Sequence, residues 1–296
     1  MPTDPHTLPL FVVNPASGGG RTGKTFDGMR ATIERSLGPV VVELTRARGH
    51  GIDLAKAGAE RGHPLIVAVG GDGTFHEVCN GVLDAKIDTR PQVGLVAQGT
   101  GGDFRRTLGL EHRLDAYLAA LASKQTRRMD VGRLTYQDHA GHTQQRWFVN
   151  ILSAGMGGLV DQYVADAPAA MGGKAAYFAA SVRALLRMKV GHLTCSVGLV
   201  GKTDERRVAT FMLAICNGRY FGGGMHVGPM AKIDDGRFDV VSLGARNKLA
   251  FAVQSSSIYE ARHLDKPGTE HFQCDKIEVR LENQDAREVF LLDVDG

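Results

Sequence analysis

The sequence has no stretch of 18 apolar residues free of charge, and Met1 to Leu10 carry Pro, Asp and His in place of a basic segment leading into an apolar one. Neither a membrane-spanning segment nor a secretory leader is expected. Cysteine is scarce: Cys79, Cys195, Cys216 and Cys274 stand far apart, with no CxxC or Cys/His ligand spacing. That argues against structural zinc and predicts reduced, buried thiols in a cytoplasmic protein. Charge of one sign is missing too. A formal charge of +3 from 35 basic and 32 acidic residues, with no block of like charge, gives nucleic acid no footprint. What remains is a slight attraction to anionic surfaces. HxxxH and HExxH are absent, so His50, His76 and His226 are assigned to surface or supporting positions.

What the chain has in excess is glycine, 38 residues in 296, much of it clustered. The length favours two domains, each with its own core. The apolar run Leu10 to Val13 ends at Asn14-Pro15-Ala16-Ser17-Gly18-Gly19-Gly20, where proline and glycine stop the strand. Phe26, Met29, Ile33 and Leu37 then recur at helical spacing over residues 25 to 37. Val40 to Leu44 and Thr45 precede a helix from Gly51 to Arg61. Leu65 to Val69 breaks at Gly70-Gly71-Asp72-Gly73-Thr74 before Phe75, Val78, Cys79, Val82 and Leu83 mark a helical face. Gln92 to Ala97 closes at Gln98-Gly99-Thr100-Gly101-Gly102-Asp103. Strands alternating with helices predict an α/β domain with a parallel sheet over residues 1–128, whose ligand binds beyond the carboxyl ends of the strands.

From Met129 the texture changes to short β-like runs: Gly132 to Tyr136, Arg146 to Leu152, Leu193 to Val200, Ala209 to Ile215, Phe238 to Leu243 and Lys276 to Leu281. Residues 129–296 are read as an antiparallel, β-sandwich-like domain, with Trp147 in its core. The helical exception is Ala175 to Val190. Phe178, Val182, Leu185 and Leu186 give it an apolar face, and Arg183, Arg187 and Lys189 flank that face. The helix suits either a membrane surface or the cover of the β domain.

The turn Gly70 to Thr74 carries the chemistry. Glycines after a buried strand turn sharply and bring N–H groups to an anion, and the helix that follows adds its positive end. The turn matches neither GxxxxGK[ST] nor GxGxxG. A carboxylate there, Asp72, repels phosphate unless a metal or a substrate proton intervenes; otherwise it serves as a helix cap.

The segment Val67 to Gly81, VAVGGDGTFHEVCNG, resembles the GGDGTxxEVxNG signature of the diacylglycerol kinase and sphingosine kinase superfamily, which includes bacterial lipid kinases. FVVNPASGGG (Phe11 to Gly20) resembles its opening NPxSG loop. GTGGDFRRTLGL (Gly99 to Leu110) is similar to its GTGNDFAR segment, and GGGMHVGPMAKIDDGRFD (Gly222 to Asp239) to a stretch of its second domain. The matches are collinear.

The resemblance implies an ATP-dependent lipid kinase using Mg2+, with the active cleft between its two domains. By resemblance Asn14, Pro15, Ser17, Thr45, Gly70, Gly71, Asp72, Gly73, Thr74, Glu77 and Thr100 surround ATP, Asp72 and Asp295 are catalytic, and Asp235 helps hold the metal. Thr45 and Thr100 also suit helix caps, Asp234-Asp235-Gly236 also suits an ordinary turn, and Arg21 and Lys24 either neutralise phosphate or face solvent. Gly102 stands where the family has Asn, and the Glu that follows the family's final Asp-Gly is not present after Asp295-Gly296. The implied partner is a lipid at the inner face of a membrane, with a homodimer formed through exposed strand edges as a further expectation. Two rivals stand beside this reading: an NAD kinase, which shares GGDGT, and a nucleotide- or lipid-binding protein that has lost catalysis.

Overall fold

The computed structural model describes residues 4–99, 101–138, 140–168 and 173–296, and the chain divides into two compact units, Met1–Val149 and Asn150–Gly296. In the first, β1 (Leu10–Val13), β2 (Val41–Leu44), β3 (Leu65–Gly70) and β4 (Gln92–Ala97) form a parallel sheet in the order β2-β1-β3-β4. All of β1 is buried, as is β3 from Ile66 onward, as the two central strands of a sheet covered on both faces must be. These continuous apolar runs were the easiest elements to read.

Helices α1 (Arg21–Leu37), α2 (His50–Glu60), α3 (Asp72–Asp84) and α5 (Leu114–Ala122) cover the sheet, with α4 (Asp103–Thr107) a single turn before α5. The chain passes from β1 outward to β2 and then back across to β3. Right-handed crossovers in opposite directions place helices on opposite faces, and α1 packs with α5 while α2 packs with α3. The second contact is close because Gly81 has no side chain: a Cβ there would lie 2.3 Å from the Ile52 carbonyl oxygen.

The hairpin of β5 (Gly132–Gln137) and β6 (Thr143–Phe148) belongs to the first unit. Asn80, 2% exposed on α3, docks it: Oδ1 accepts the Trp147 N–H at 3.1 Å and Nδ2 donates to the Trp147 carbonyl at 3.1 Å. The change of texture at Met129 thus marks where strands replace helices, while the packing of the first unit continues to Val149. Trp147, expected in a core, is half-buried, with Nε1 donating to Asp84 at 2.8 Å.

The second unit holds β7 (Ile151–Gly155), β8 (Gly191–Leu199), β9 (Lys202–Thr210), β10 (Met212–Cys216), β11 (Phe238–Leu243), β12 (Thr269–Cys274), β13 (Lys276–Leu281) and β14 (Leu291–Val294). They form two antiparallel sheets, β12-β11-β10-β7-β14 and β13-β8-β9. Helices α6 (Met156–Ala165), α7 (Gly173–Arg187) and α8 (Lys248–Ser255) accompany them.

Two expected strands are in fact pairs. Arg146 to Leu152 spans the end of β6 and the start of β7, separated where the units divide. Ala209 to Ile215 spans β9 and β10, and Phe211 between them donates its N–H to the Leu243 carbonyl at 3.1 Å. All four cysteines are free and buried, as expected. Burial raises the Cys195 thiol to about 11 and the Cys274 thiol to about 12, so these thiols stay protonated at neutral pH.

Candidate active site

In the order β2-β1-β3-β4 the connections change direction between β1 and β3, and such a switch point opens a crevice at the carboxyl ends of the strands. Asn14 follows β1 and Thr74 lies in the first turn of the helix after β3. They meet across the crevice, Asn14 Nδ2 donating to Thr74 Oγ1 at 3.1 Å, while Asn14 Oδ1 accepts the Ala16 N–H at 3.0 Å and shapes the loop that follows.

The glycines let three loops close on this point. A Cβ on Gly99 would sit 2.6 Å from the Gly71 Cα, and one on Gly18 would sit 2.8 Å from the Gln98 carbonyl oxygen. Gln98 and Gly99 also donate their N–H groups to the Gly70 carbonyl at 2.7 and 3.3 Å. The loops after β1, β3 and β4 therefore form one surface of closely spaced backbone.

That surface suits an anion. Helix α3 has Gly71 at its N-cap with no side-chain cap, and the Thr74 N–H already donates to the Gly71 carbonyl at 3.1 Å, which leaves the N–H groups of Asp72 and Gly73 available to a phosphate. The Oγ of Ser17 in the loop after β1 and the Oγ1 of Thr22 in the first turn of α1 are buried with no partner among the described residues. Unmet buried hydroxyls beside a glycine loop are the polar groups a bound nucleotide would satisfy. Pro15 packs against α1 at Gly23, where a Cβ would meet it at 3.1 Å. Thr45, 8% exposed at the end of β2, donates its N–H to the Val13 carbonyl at 2.8 Å.

Asp72 holds two loops together and does not cap its own helix. Its Oδ2 accepts the Asp103 N–H and its Oδ1 the Phe104 N–H, each at 3.1 Å, so the turn after β3 is clamped to the turn after β4. Asp103, 5% exposed, pairs with Arg106 at 2.7 Å. Gly102, in place of the family's Asn, adopts φ +61° and serves as the N-cap position of α4.

Glu77 reaches across to the loop after β2. It accepts the N–H groups of Gly49 at 2.7 Å and Gly51 at 2.9 Å, which makes it the cap that α2 lacks locally. Thr100, expected near the nucleotide, lies outside the described residues.

Sequence reading passed over the arginines that follow the glycine loop. Burial lowers the pKa of His112, and the charges of Arg105, Arg106 and Arg21 lower it further, so three guanidiniums project positive field onto this corner of the first unit. The signal was the Arg-Arg pair directly after Gly99 to Phe104. Tyr117, which accompanies His112 at 2.8 Å, is raised to about 12 by burial, with the negative charge of Asp72 adding to the shift.

The remaining candidates lie in the second unit. Asp235 is exposed and its Oδ1 accepts the Arg237 N–H at 3.1 Å, the closure of an Asx turn. Among the described residues no three His, Cys, Asp or Glu side chains gather into a metal cage. Asp239, which ends the stretch containing Asp235, is 1% exposed and lies 2.7 Å from His271 Nε2.

Asp295, 5% exposed, adopts a left-handed φ of +65° and its Oδ1 accepts the Asn150 and Ile151 N–H groups at 2.8 and 3.1 Å. Asp293 accepts the Gly296 N–H at 3.0 Å and so closes the turn that contains Asp295. Burial pushes the Asp293 carboxyl well above the usual carboxylate range, and Asp161 and Asp295 push it further. This acidic group was not legible in the sequence, because α6 brings Asp161 to β14 from a distant part of the chain.

Residues 9–134 match the diacylglycerol kinase catalytic domain, and residues 150–296 match the YegS C-terminal NAD kinase beta sandwich-like domain. The chain belongs to the diacylglycerol kinase family. A protein of Chromohalobacter salexigens named "Probable lipid kinase YegS-like" is 31% identical to it, over 82% of this chain and 74% of that protein. A diacylglycerol kinase of Bacillus subtilis is 27% identical over 92% of this chain and 85% of its own length. The structure of a diacylglycerol kinase from Bacillus anthracis superposes with a TM-score of 0.67 at 18% identity, covering 98% of this chain and 90% of that one. Yeast NADH kinase in complex with NADH is a more distant fold relative, with a TM-score of 0.52 at 12% identity over 99% of this chain and 76% of that one. The lipid-kinase reading of the sequence is therefore upheld over the NAD kinase reading at the level of family, and the fold is the expected one: a parallel α/β domain followed by an antiparallel β domain. Among the described residues no helix is long and apolar enough to cross a membrane.

Proposed function

We propose that this member of the diacylglycerol kinase family transfers the γ-phosphoryl group of ATP to the hydroxyl of a lipid. The observation that carries the reading is the Asn14–Thr74 hydrogen bond across the switch point, framed by loops that only glycines at 18 and 99 permit. Phosphoryl transfer asks mainly for positioning and neutralisation of charge. In this proposal the backbone N–H groups of Asp72 and Gly73, with Ser17 and Thr22, hold the phosphate chain, and Arg21 and Arg105 offset its charge. Asp72, fixed by two backbone N–H groups, keeps lone pairs to accept the proton of the attacking hydroxyl, directly or through a water.

Asp295 is proposed as a second carboxylate of the reaction. A magnesium ion, bound through one or two carboxylates together with the nucleotide phosphates, would supply the remaining charge neutralisation, and Asp72 suits that mode better than the exposed Asp235. The test is an acceptor panel with labelled ATP: diacylglycerol, sphingosine, ceramide, phosphatidylglycerol and NAD. A labelled phospholipid product is expected. Robust NADP formation, or transfer to none of the lipids, would overturn the proposal.

A further inference from the structure

Helix α7 is apolar on two faces. Ala176, Ala180 and Ala184 recur every fourth residue on its buried side, and Met188 just past its end continues the series. Phe178, Val182 and Leu186, also at four-residue spacing, are 72%, 43% and 72% exposed, in a stripe that an ordinary surface helix fills with polar residues. Helix α8 repeats the pattern: Phe251 is buried, whereas Leu249 and Val253 are 75% and 70% exposed.

The two helices adjoin. Lys248 Nζ donates to the Leu186 carbonyl at 2.6 Å, and a groove of about 130 Å³ between them is lined by Val182, Leu185, Ala252 and Ser255. Both stripes therefore belong to one exposed apolar face of the second unit.

The charges beside this face are basic. Arg183 lies over the Tyr163 ring at 4.0 Å with its charge uncompensated by that contact, and Arg187, Arg246 and Lys248 make no ion pair among the described residues. Lys189 and Arg262 are offset by Asp285 and Glu260. Exposed aromatic and aliphatic side chains flanked by cations are the composition of a surface that enters the headgroup region of an anionic bilayer. A second copy of the chain suits the face poorly, because a two-fold contact would press this basic-edged patch against an identical one, with no acidic partner to offset it.

We infer that the α7–α8 face docks the protein on anionic phospholipid membranes, with Phe178, Leu186, Leu249 and Val253 inserted and Arg183, Arg187, Arg246 and Lys248 at the headgroups. The inference deepens the lipid-kinase reading and takes its purpose from it, but its test needs no catalysis. Sedimentation without ATP, using vesicles of phosphatidylcholine alone and of phosphatidylcholine with phosphatidylglycerol, should show binding to the second only, weakening as salt is raised. The triple substitution Phe178→Ser, Leu186→Ser, Leu249→Ser should weaken binding by at least about ten-fold. Its thermal midpoint, and its turnover on lipid dispersed in detergent, should stay those of the parent chain.

Absence of binding to anionic vesicles overturns the inference, as does undiminished binding by the triple variant. A dimer that dissociates on the same substitutions, with no vesicle binding by the parent, would give the face to a second copy. Binding that survives while no lipid is phosphorylated would sink the catalytic reading and leave the docking face standing.

Discussion

The carboxylate of Asp72, in the first turn of α3, accepts the backbone N–H of Asp103 at 3.1 Å, with the Phe104 N–H on its other oxygen at the same distance. One side chain thus sets the spacing of two glycine loops. The contact makes two roles separable. Asp72→Asn keeps one acceptor and should cost about 1 kcal/mol of stability, the scale of a lost cap. If Asp72 also acts on the transferred group, turnover should fall by about 10²–10³-fold. Steady-state kinetics beside a thermal melt and ATP titration check this; a loss of turnover no larger than the loss of ATP affinity would confine Asp72 to its clamp.

Gly99→Ala tests the convergence of the loops. The new Cβ would lie 2.6 Å from the Gly71 Cα, a contact with backbone that no rotamer relieves. The loops after β3 and β4 must then part. ATP affinity should drop by about ten-fold or more, the consequence of about 1.4 kcal/mol, while circular dichroism remains that of the parent. Isothermal titration with ATP reads the outcome.

Glu77→Ala addresses a residue that sequence reading assigned to the nucleotide. Its carboxylate caps α2 through Gly49 and Gly51. The expected result is a loss of about 1–2 kcal/mol in urea unfolding, with N–H groups left unpaired at a helix start. ATP affinity should change less than it does for Gly99→Ala.

Asp293→Asn gives a prediction in pH. The folded carboxyl titrates above the 3.8 of a free aspartate, chiefly because it is buried and secondly because Asp161 faces it. The folded chain therefore binds the proton more tightly than the unfolded chain. The stability from this group is fully present below pH 3.8 and is lost as pH rises through the folded value. Asparagine keeps an acceptor for the Gly296 N–H and removes the charge. The variant should melt higher than the parent at neutral pH, by about 2–4 °C for each kcal/mol regained, and the advantage should vanish in acid. Melting curves across pH test it; an equal advantage in acid would show that charge is not the cause.

The elements of the first unit were legible because burial on both faces forces near-continuous apolar runs: β1, β3 and β4 begin and end within a residue of where Leu10–Val13, Leu65–Val69 and Gln92–Ala97 place them. Strands at sheet edges lack that signature. Most of β9 is exposed and polar from Lys202 to Arg207, and it is a strand because β8 pairs with it from Gly191 to Leu199. Helix α6 was hidden by its own Gly157 and Gly158, which are small because Ser153 and Leu291 press against them: a Cβ on either would lie 2.4 or 2.6 Å from those residues.

By itself the sequence determined the glycine loops and the family, since glycine needed for backbone approach must appear wherever the chain requires it, and four such segments recur in order. Only the tertiary structure decided what the carboxylates do. Asp72 clamps the α4 turn, Glu77 caps α2, and Asp293 meets Asp161, because a carboxylate takes its role from the donors and charges that the folded chain brings within hydrogen-bond reach, and those partners lie up to 132 residues apart.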